Sequence, residues 1–327
     1  MDRTKWFADC GWGVFCHWLG APASSQGGAE LTAAQWNRWV DAFDVTGLAN
    51  QLKHIGAPYF FITLGQNSGH FLSPNATYDK YVGIKPSKCS RRDLVADLYD
   101  ALHPRGIELL VYLPSGAPAA DPVAVRQLGW KWGFPGSWPN DWTPPRTGER
   151  LVDFQLKWED IVREWSNRWG SKVRGWWVDG CYFADEMYRN KDAPNFHSFA
   201  AAMKAGNQDS LVAFSPGVCL PVISHTRDED YTAGEIMGAL PQCPGAWVER
   251  DGHKARYHML SYLGDDWGKG SKPRFPDEMV AGYTKHVTGK SGVVTWDVPI
   301  RRSGLIPQAF ADQLKAISAA MRRPLRH

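Results

Sequence analysis

Short apolar runs alternating with amphipathic stretches constrain the fold of this chain more than any other feature. Residues 11–18 read as a first strand, followed by a helix over 32–54 with Leu31, Trp36, Trp39, Phe43 and Leu48 near a 3.6-residue period. Gly56 stops that helix, and the apolar run 58–64 has the look of a buried parallel strand. Ser90 is placed to cap the next helix, with Asp93 in its first turn and Leu94, Leu98, Tyr99 and Leu102 as its stripe. A third strand follows at 107–113, and then a long loop over 114–148 rich in Gly, Pro and Trp. Helix 152–169 precedes strand 173–180, and helix 196–205 precedes strand 211–216. The stretch 226–270 reads as loop-rich; beyond it come a helix over 276–287, a strand over 292–299 and a helix over 307–323. This repetition over 327 residues predicts an α/β fold, a TIM-like (β/α)8 barrel forming one domain over 1–327. An open nucleotide-binding sheet is disfavoured, because neither G-x-G-x-x-G nor a P-loop follows the first strand.

Charge and cysteine content exclude several classes of function. Thirty-seven basic against 34 acidic residues give a net charge of +3, which supplies no electrostatic footprint for nucleic acid or an anionic membrane. No apolar run is long enough to span a bilayer. Residues 1–6 lack the apolar stretch of a signal peptide, so a native start here predicts a cytoplasmic protein. The six cysteines form no C-x-x-C pair and read as buried free thiols. Asn75-Ala76-Thr77 matches the glycosylation pattern, which carries little without a secretion signal. Seventeen tryptophans are unusual: most belong in a core, yet flat aromatic faces also suit the C–H faces of sugars.

In a barrel the active site lies at the C-terminal ends of the strands. That rule selects His17 and Trp18, 65–67, Tyr112, Asp179, Ser215, and Trp296 with Asp297. Asp179 ends an apolar run with a glycine behind it; it serves either as a catalytic acid or as a structural cap of the next loop. Glycoside hydrolysis needs a second carboxyl group. Glu235, at the end of the cluster 228–235, is the best source, with Glu249, Asp251 and Glu186 as rivals. His225 beside that cluster reads as a solvated loop residue rather than a metal ligand.

These residues resemble the α-L-fucosidases of glycoside hydrolase family 29. Trp6-Phe7 and the segment 11–18 look like that family's opening W-F…K-F-G-I-F-I-H-W-G. Residues 62–71 lie where it has L-T-x-K-H-H-D-G-F, and 92–95, 105–107 and 111–112 match R-D-L-V…R-G-L…Y-Y. Trp177-Val178-Asp179-Gly180 resembles W-F-D-G, whose Asp is the nucleophile. The run 230–235 resembles D-Y-x-T-P-E, whose Glu is the acid/base in many members, and 293–299 with 304–307 resembles L-L-L-N-x-G-P…G-x-I-P. Three departures stand out. Gln66 and Asn67 replace the paired histidines that contact the sugar, Ser215-Pro216-Gly217 replaces N-D-R, and Trp296 replaces the Asn. The β-sandwich that follows the barrel in that family is not expected within these residues.

The resemblance implies a retaining exo-glycosidase acting by double displacement. Asp179 attacks the anomeric carbon; Glu235, its pKa raised in a drier setting beside the Asp179 charge, protonates the departing oxygen. His17, Gln66, Asn67, His70, Tyr112, Trp177 and Trp296 become candidate sugar contacts, with Trp177 and Trp296 equally open to a packing role. A small carbohydrate or glycoside is the expected partner, and no metal or organic cofactor is required. Two other functions fit the same residues: the same barrel acting on a galactoside, a rhamnoside or another glycoside, and a carbohydrate-binding barrel without turnover.

Overall fold

The computed structural model describes residues 2–20, 31–131 and 149–322; positions 132–148 of the long loop expected over 114–148 lie outside them. Helix α1 (Lys5–Cys10) leads into β1 (Trp12–Cys16), and α2 (Ala33–Asp41) with α3 (Val45–Ile55) precedes β2 (Tyr59–Thr63). α4 (Ala76–Val82) and α5 (Leu94–Leu102) precede β3 (Glu108–Pro114); α6 (Pro122–Leu128) and α7 (Val152–Trp169) precede β4 (Gly175–Asp179). α8 (Ala184–Met187) and α9 (Phe196–Met203) precede β5 (Leu211–Phe214). A hairpin of β6 (Trp247–Arg250) and β7 (His253–Arg256) then comes before β8 (His258–Tyr262), α10 (Asp277–Gly289), β9 (Val293–Asp297) and α11 (Gln308–Arg322).

Seven strands form one parallel sheet in the order β5-β4-β3-β2-β1-β9-β8. The sheet curls as a TIM-like barrel does. Its two edges approach each other across residues 230–236. Tyr231 and Glu235 make parallel bridges to Arg256 and Leu260 on the β8 side. On the other side the Asp230 amide donates to the Val212 carbonyl of β5 at 2.8 Å.

Side chains alternate across each strand, and this period of two sorts the core. Phe15, Tyr59, Phe61, Leu110, Tyr112, Trp177, Leu260 and Val293 share one cluster inside the curl. Their neighbours Val14, Phe60, Val111, Trp176, Val178 and Trp296 belong to a second cluster under the helices. Gly13 points inward, where a Cβ would fall 2.1 Å from the Tyr59 ring, so glycine makes room for that ring. Phe7 of α1 enters the inner cluster from the N-terminal end, its ring 5.0 Å from those of Tyr59 and Tyr231. Phe7→Ala empties that position and is expected to cost about 3–5 kcal/mol in a urea melt; a change below about 1 kcal/mol would show that the inner core closes without it.

Four sequence expectations need correction. The helix expected over 32–54 is two helices. The Asp44 side chain accepts from the Gly47 amide and starts α3 afresh, while α2 ends at Ala42. Asp93, not Ser90, caps α5 by accepting from the Ala96 amide; the Ser90 hydroxyl donates instead to the Arg92 carbonyl. The stretch 226–270 contains three strands. Helix α6 interrupts the loop expected over 114–148, its cap Asp121 accepting from the Val123 and Ala124 amides. Asn75, for its part, is buried, caps α4 and donates to the Ile161 carbonyl.

Candidate active site

Strand parity brings His17, Tyr112, Trp177, Asp179 and Asp297 to the inner face, at or just beyond the C-terminal ends of β1, β3, β4 and β9. Phe15, His17, Gln66, Tyr112, Trp177, Asp179, Glu235, Leu260 and Trp267 line one pocket of about 320 Å3 there. The two carboxyl groups singled out in the sequence thus share a pocket although 56 positions separate them.

Asp179 is held by phenols. The Tyr112 hydroxyl donates to its Oδ2 at 2.6 Å, and the Tyr182 hydroxyl lies 3.4 Å from its Oδ1. Tyr112 is itself oriented, since Gln66 Nε2 donates to its oxygen at 2.6 Å. Gln66 Oε1 is left without a protein partner. Burial pushes the Asp179 carboxyl upward, while the Tyr112 hydrogen bond and the nearby His17 favour its charged form. Tyr112 responds in the opposite sense: burial and the Asp179 charge raise it far above the usual phenol range. It therefore remains a proton donor to the carboxylate.

Glu235 occupies a drier and less well supplied position. The Ser215 hydroxyl donates to its Oε2 at 2.8 Å, and the Gly217 amide donates to the same serine oxygen at 3.1 Å. Burial, and then the Asp179 charge, push Glu235 up to about 8. Of the pair, Glu235 keeps the proton near neutral pH. Asp179 has stronger hydrogen-bond donors and a histidine beside it, whereas Glu235 has one serine. Because the Ser215 bond favours the charged form, Ser215→Ala is expected to raise the Glu235 pKa further. A carbon-13 titration of its carboxyl group checks this, and a downward shift would contradict it.

His17 and Trp177 complete the walls. His17 Nδ1 lies 2.8 Å from Asp297 Oδ1, and the Asp297 side chain is wholly buried. The Trp177 ring stacks on Tyr112 at 5.5 Å with 17° between planes, and its indole N–H donates to the Ala233 carbonyl at 3.0 Å. That bond ties β4 to the segment carrying Glu235.

Three of the candidate sugar contacts are not brought to the pocket wall. Trp296 is one residue from Asp297 and so faces the other way, into the helix layer. It is fully buried and donates to Thr284 Oγ1 of α10 at 2.9 Å, so it is packing and not a sugar platform. His70 is buried against the Trp36 ring at 5.5 Å, and burial lowers it to about 4, so it stays neutral there. Asn67 offers its backbone carbonyl to the Ala120 amide at 2.9 Å and is not among the described lining residues. The rival acids are elsewhere. Glu249 lies on the exposed hairpin 3.8 Å from Lys254, Asp251 stands in its turn, and Glu186 sits on α8 outside the pocket lining. His225 is buried and bonded to the Cys181 carbonyl, not solvated as its polar neighbourhood suggested.

Sequence reasoning missed Phe15, Leu260 and Trp267, and left Ser215 and Asp297 uncommitted. Asp297 carried the same signal as Asp179, an acid closing an apolar run. Trp267 lies in a loop and has no such signal. Among the described residues, no group of three or more His, Cys, Asp or Glu is placed to hold a metal ion. None of the described helices is long and apolar enough to cross a membrane.

No protein-family model matches the chain. No curated protein matches it. Solved structures do. The endo-fucoidan hydrolase P5AFcnA of glycoside hydrolase family 107 superposes with a TM-score of 0.71 at 15% identity, over 99% of this chain and 94% of that one. The endo-fucoidan hydrolase MfFcnA9 of the same family gives 0.73 at 17% identity, over 98% of this chain but 64% of its own length. The α-L-fucosidase isoenzyme 1 from Paenibacillus thiaminolyticus gives 0.64 at 19% identity, over 98% of this chain and 75% of that one. At these identities the likeness establishes the fold alone: the chain has the architecture of the matched regions of these glycoside hydrolases.

Proposed function

We propose that this chain is a retaining glycoside hydrolase of α-L-fucosidase-like type, exo-acting on a small fucoside or a closely related glycoside. One observation carries the proposal: Asp179 and Glu235 line one pocket in contrasting settings, so that one ionises while the other holds its proton. Double displacement requires that division. Asp179 attacks the anomeric carbon as a carboxylate, and Glu235 donates its proton to the departing oxygen. Glu235 then takes a proton from water, which cleaves the Asp179–sugar ester. The fold likeness to fucosidases and fucoidan hydrolases supports this reading, as do the motifs around Asp179 and Glu235. So does the curled seven-stranded parallel sheet, whose two edges meet across residues 230–236. The Gln66 amide, in place of a histidine, donates and accepts hydrogen bonds but does not titrate near neutral pH, which fits a changed hydroxyl pattern.

Release of chromophore from a panel of aryl glycosides, α-L-fucoside included, tests the proposal, with the configuration of the first-formed sugar read by NMR. Turnover of one member with retention is the expected result. Inversion would reject the double displacement. Silence across the panel, with sugar binding intact by calorimetry, would favour a binding barrel.

A further inference from the structure

The Asp297 carboxylate is the only wholly buried acid whose two oxygens serve two different walls of the pocket among the described residues. Its Oδ1 meets His17 Nδ1 at 2.8 Å, and its Oδ2 accepts from the Gly268 amide at 2.6 Å. Gly268 has φ of +65°, and a Cβ there would fall 2.7 Å from the His17 Cβ, so only glycine lets this loop come so close. The preceding residue is Trp267, which lines the pocket; its ring lies 5.9 Å from His17 and 5.1 Å edge-on to Tyr262. Burial pushes the Asp297 carboxyl upward, while His17 and the Gly268 amide favour its charged form, and in that form it offers only acceptor oxygens to the imidazole. His17 must then carry a proton on Nδ1, which leaves Nε2, at the far edge of the ring, for the pocket.

We propose that Asp297 is a positioning residue that sets two walls at once: one oxygen fixes the orientation and Nδ1 protonation of His17, and the other anchors the loop that presents Trp267. Asp297 touches no sugar under this proposal. It acts through a polar contact on one side of the pocket and an aromatic contact on the other, and so governs how closely the pocket fits a ring hydroxyl and the neighbouring C–H face. The inference rests on the glycosidase reading for its consequence, but not for its geometry.

Asp297→Asn tests it. The amide has one acceptor oxygen, so it satisfies either the Gly268 amide or His17 Nδ1–H and confronts the other with its NH2 group. The expected kinetic result is a fall in kcat/KM of about ten- to a hundredfold, as loss of one or two polar contacts gives. In a His17→Gln background the same change is expected to add much less, because its main route is already broken. Equal losses in both backgrounds would overturn the coupling. The second readout is the nitrogen-15 spectrum of the His17 ring, assigned by difference from His17→Gln. Wild-type protein is expected to show a protonated Nδ1, and Asp297→Asn to change that pattern. A wild-type ring with a bare Nδ1 would overturn the proposal whether or not the variant folds. If no glycoside is turned over, the glycosidase reading fails, while the His17 spectrum still decides this one.

Discussion

Asp179→Asn is expected to lower kcat/KM by roughly 10^4-fold or more, about 5.5 kcal/mol of barrier, with the melting temperature unchanged or raised. The amide keeps the shape of the carboxylate, and its carbonyl still accepts from the Tyr112 hydroxyl that now bonds Oδ2 at 2.6 Å. It lacks the charge that attacks the anomeric carbon and balances the developing oxocarbenium ion. Stability is not expected to suffer, because burial disfavours the Asp179 charge and a neutral amide avoids that penalty. Steady-state kinetics beside thermal melts checks both halves. Near-wild-type turnover by this variant would remove Asp179 from the chemistry, and a matching loss of stability would make the effect structural.

The second large effect belongs to Glu235. Its carboxyl is pushed up to about 8 by burial and by the Asp179 charge. A proton donor is active in its protonated form, so kcat/KM is expected to hold up to about pH 8 and to fall about tenfold per unit above it. The acidic limb reports ionisation of Asp179, and burial places it above the ordinary carboxylate range. Glu235→Gln is expected to cost about 10^2- to 10^4-fold on substrates with poor leaving groups, much less on activated aryl glycosides, and to erase the basic limb. Stability moves in the same sense. The folded state holds a proton that the unfolded chain, with its glutamate near 4.5, has released. Its contribution to stability is therefore fully present below that value and is lost as pH rises through about 8. Glu229, also buried and raised to about 8, adds to that slope. A profile whose basic limb survives in Glu235→Gln would assign the proton to another group.

The barrel strands were legible where an apolar run sits between turn residues, as in β2, β3 and β4, because both faces of a parallel strand are buried. β8 was not. His258 and Ser261 interrupt its apolar pattern, and His258 is tolerated inside only because its ring bonds the Thr232 carbonyl and Thr295 Oγ1, partners from distant segments. The break between α2 and α3 was hidden because Phe43 continues the helical period, while the Asp44 amide bonds the Ser303 carbonyl far along the chain. At the site, the acids at strand ends could be read from their neighbours. Strand parity could also be read, and it separates Trp177, which shares the face of Asp179, from Trp296, which opposes that of Asp297. The fit of Trp267 beside His17 could not, since a loop's approach depends on contacts that no local spacing records.

The most direct measurement is covalent trapping. A 2-deoxy-2-fluoro fucosyl fluoride slows both steps by destabilising the oxocarbenium-like transition state, while its activated leaving group favours the first, so the glycosyl-enzyme accumulates. Intact mass followed by peptide mapping is expected to find one sugar per chain, esterified to Asp179, and none on Asp179→Asn. A label on another carboxylate, or steady turnover of a natural glycoside with no residue ever labelled, would contradict the account.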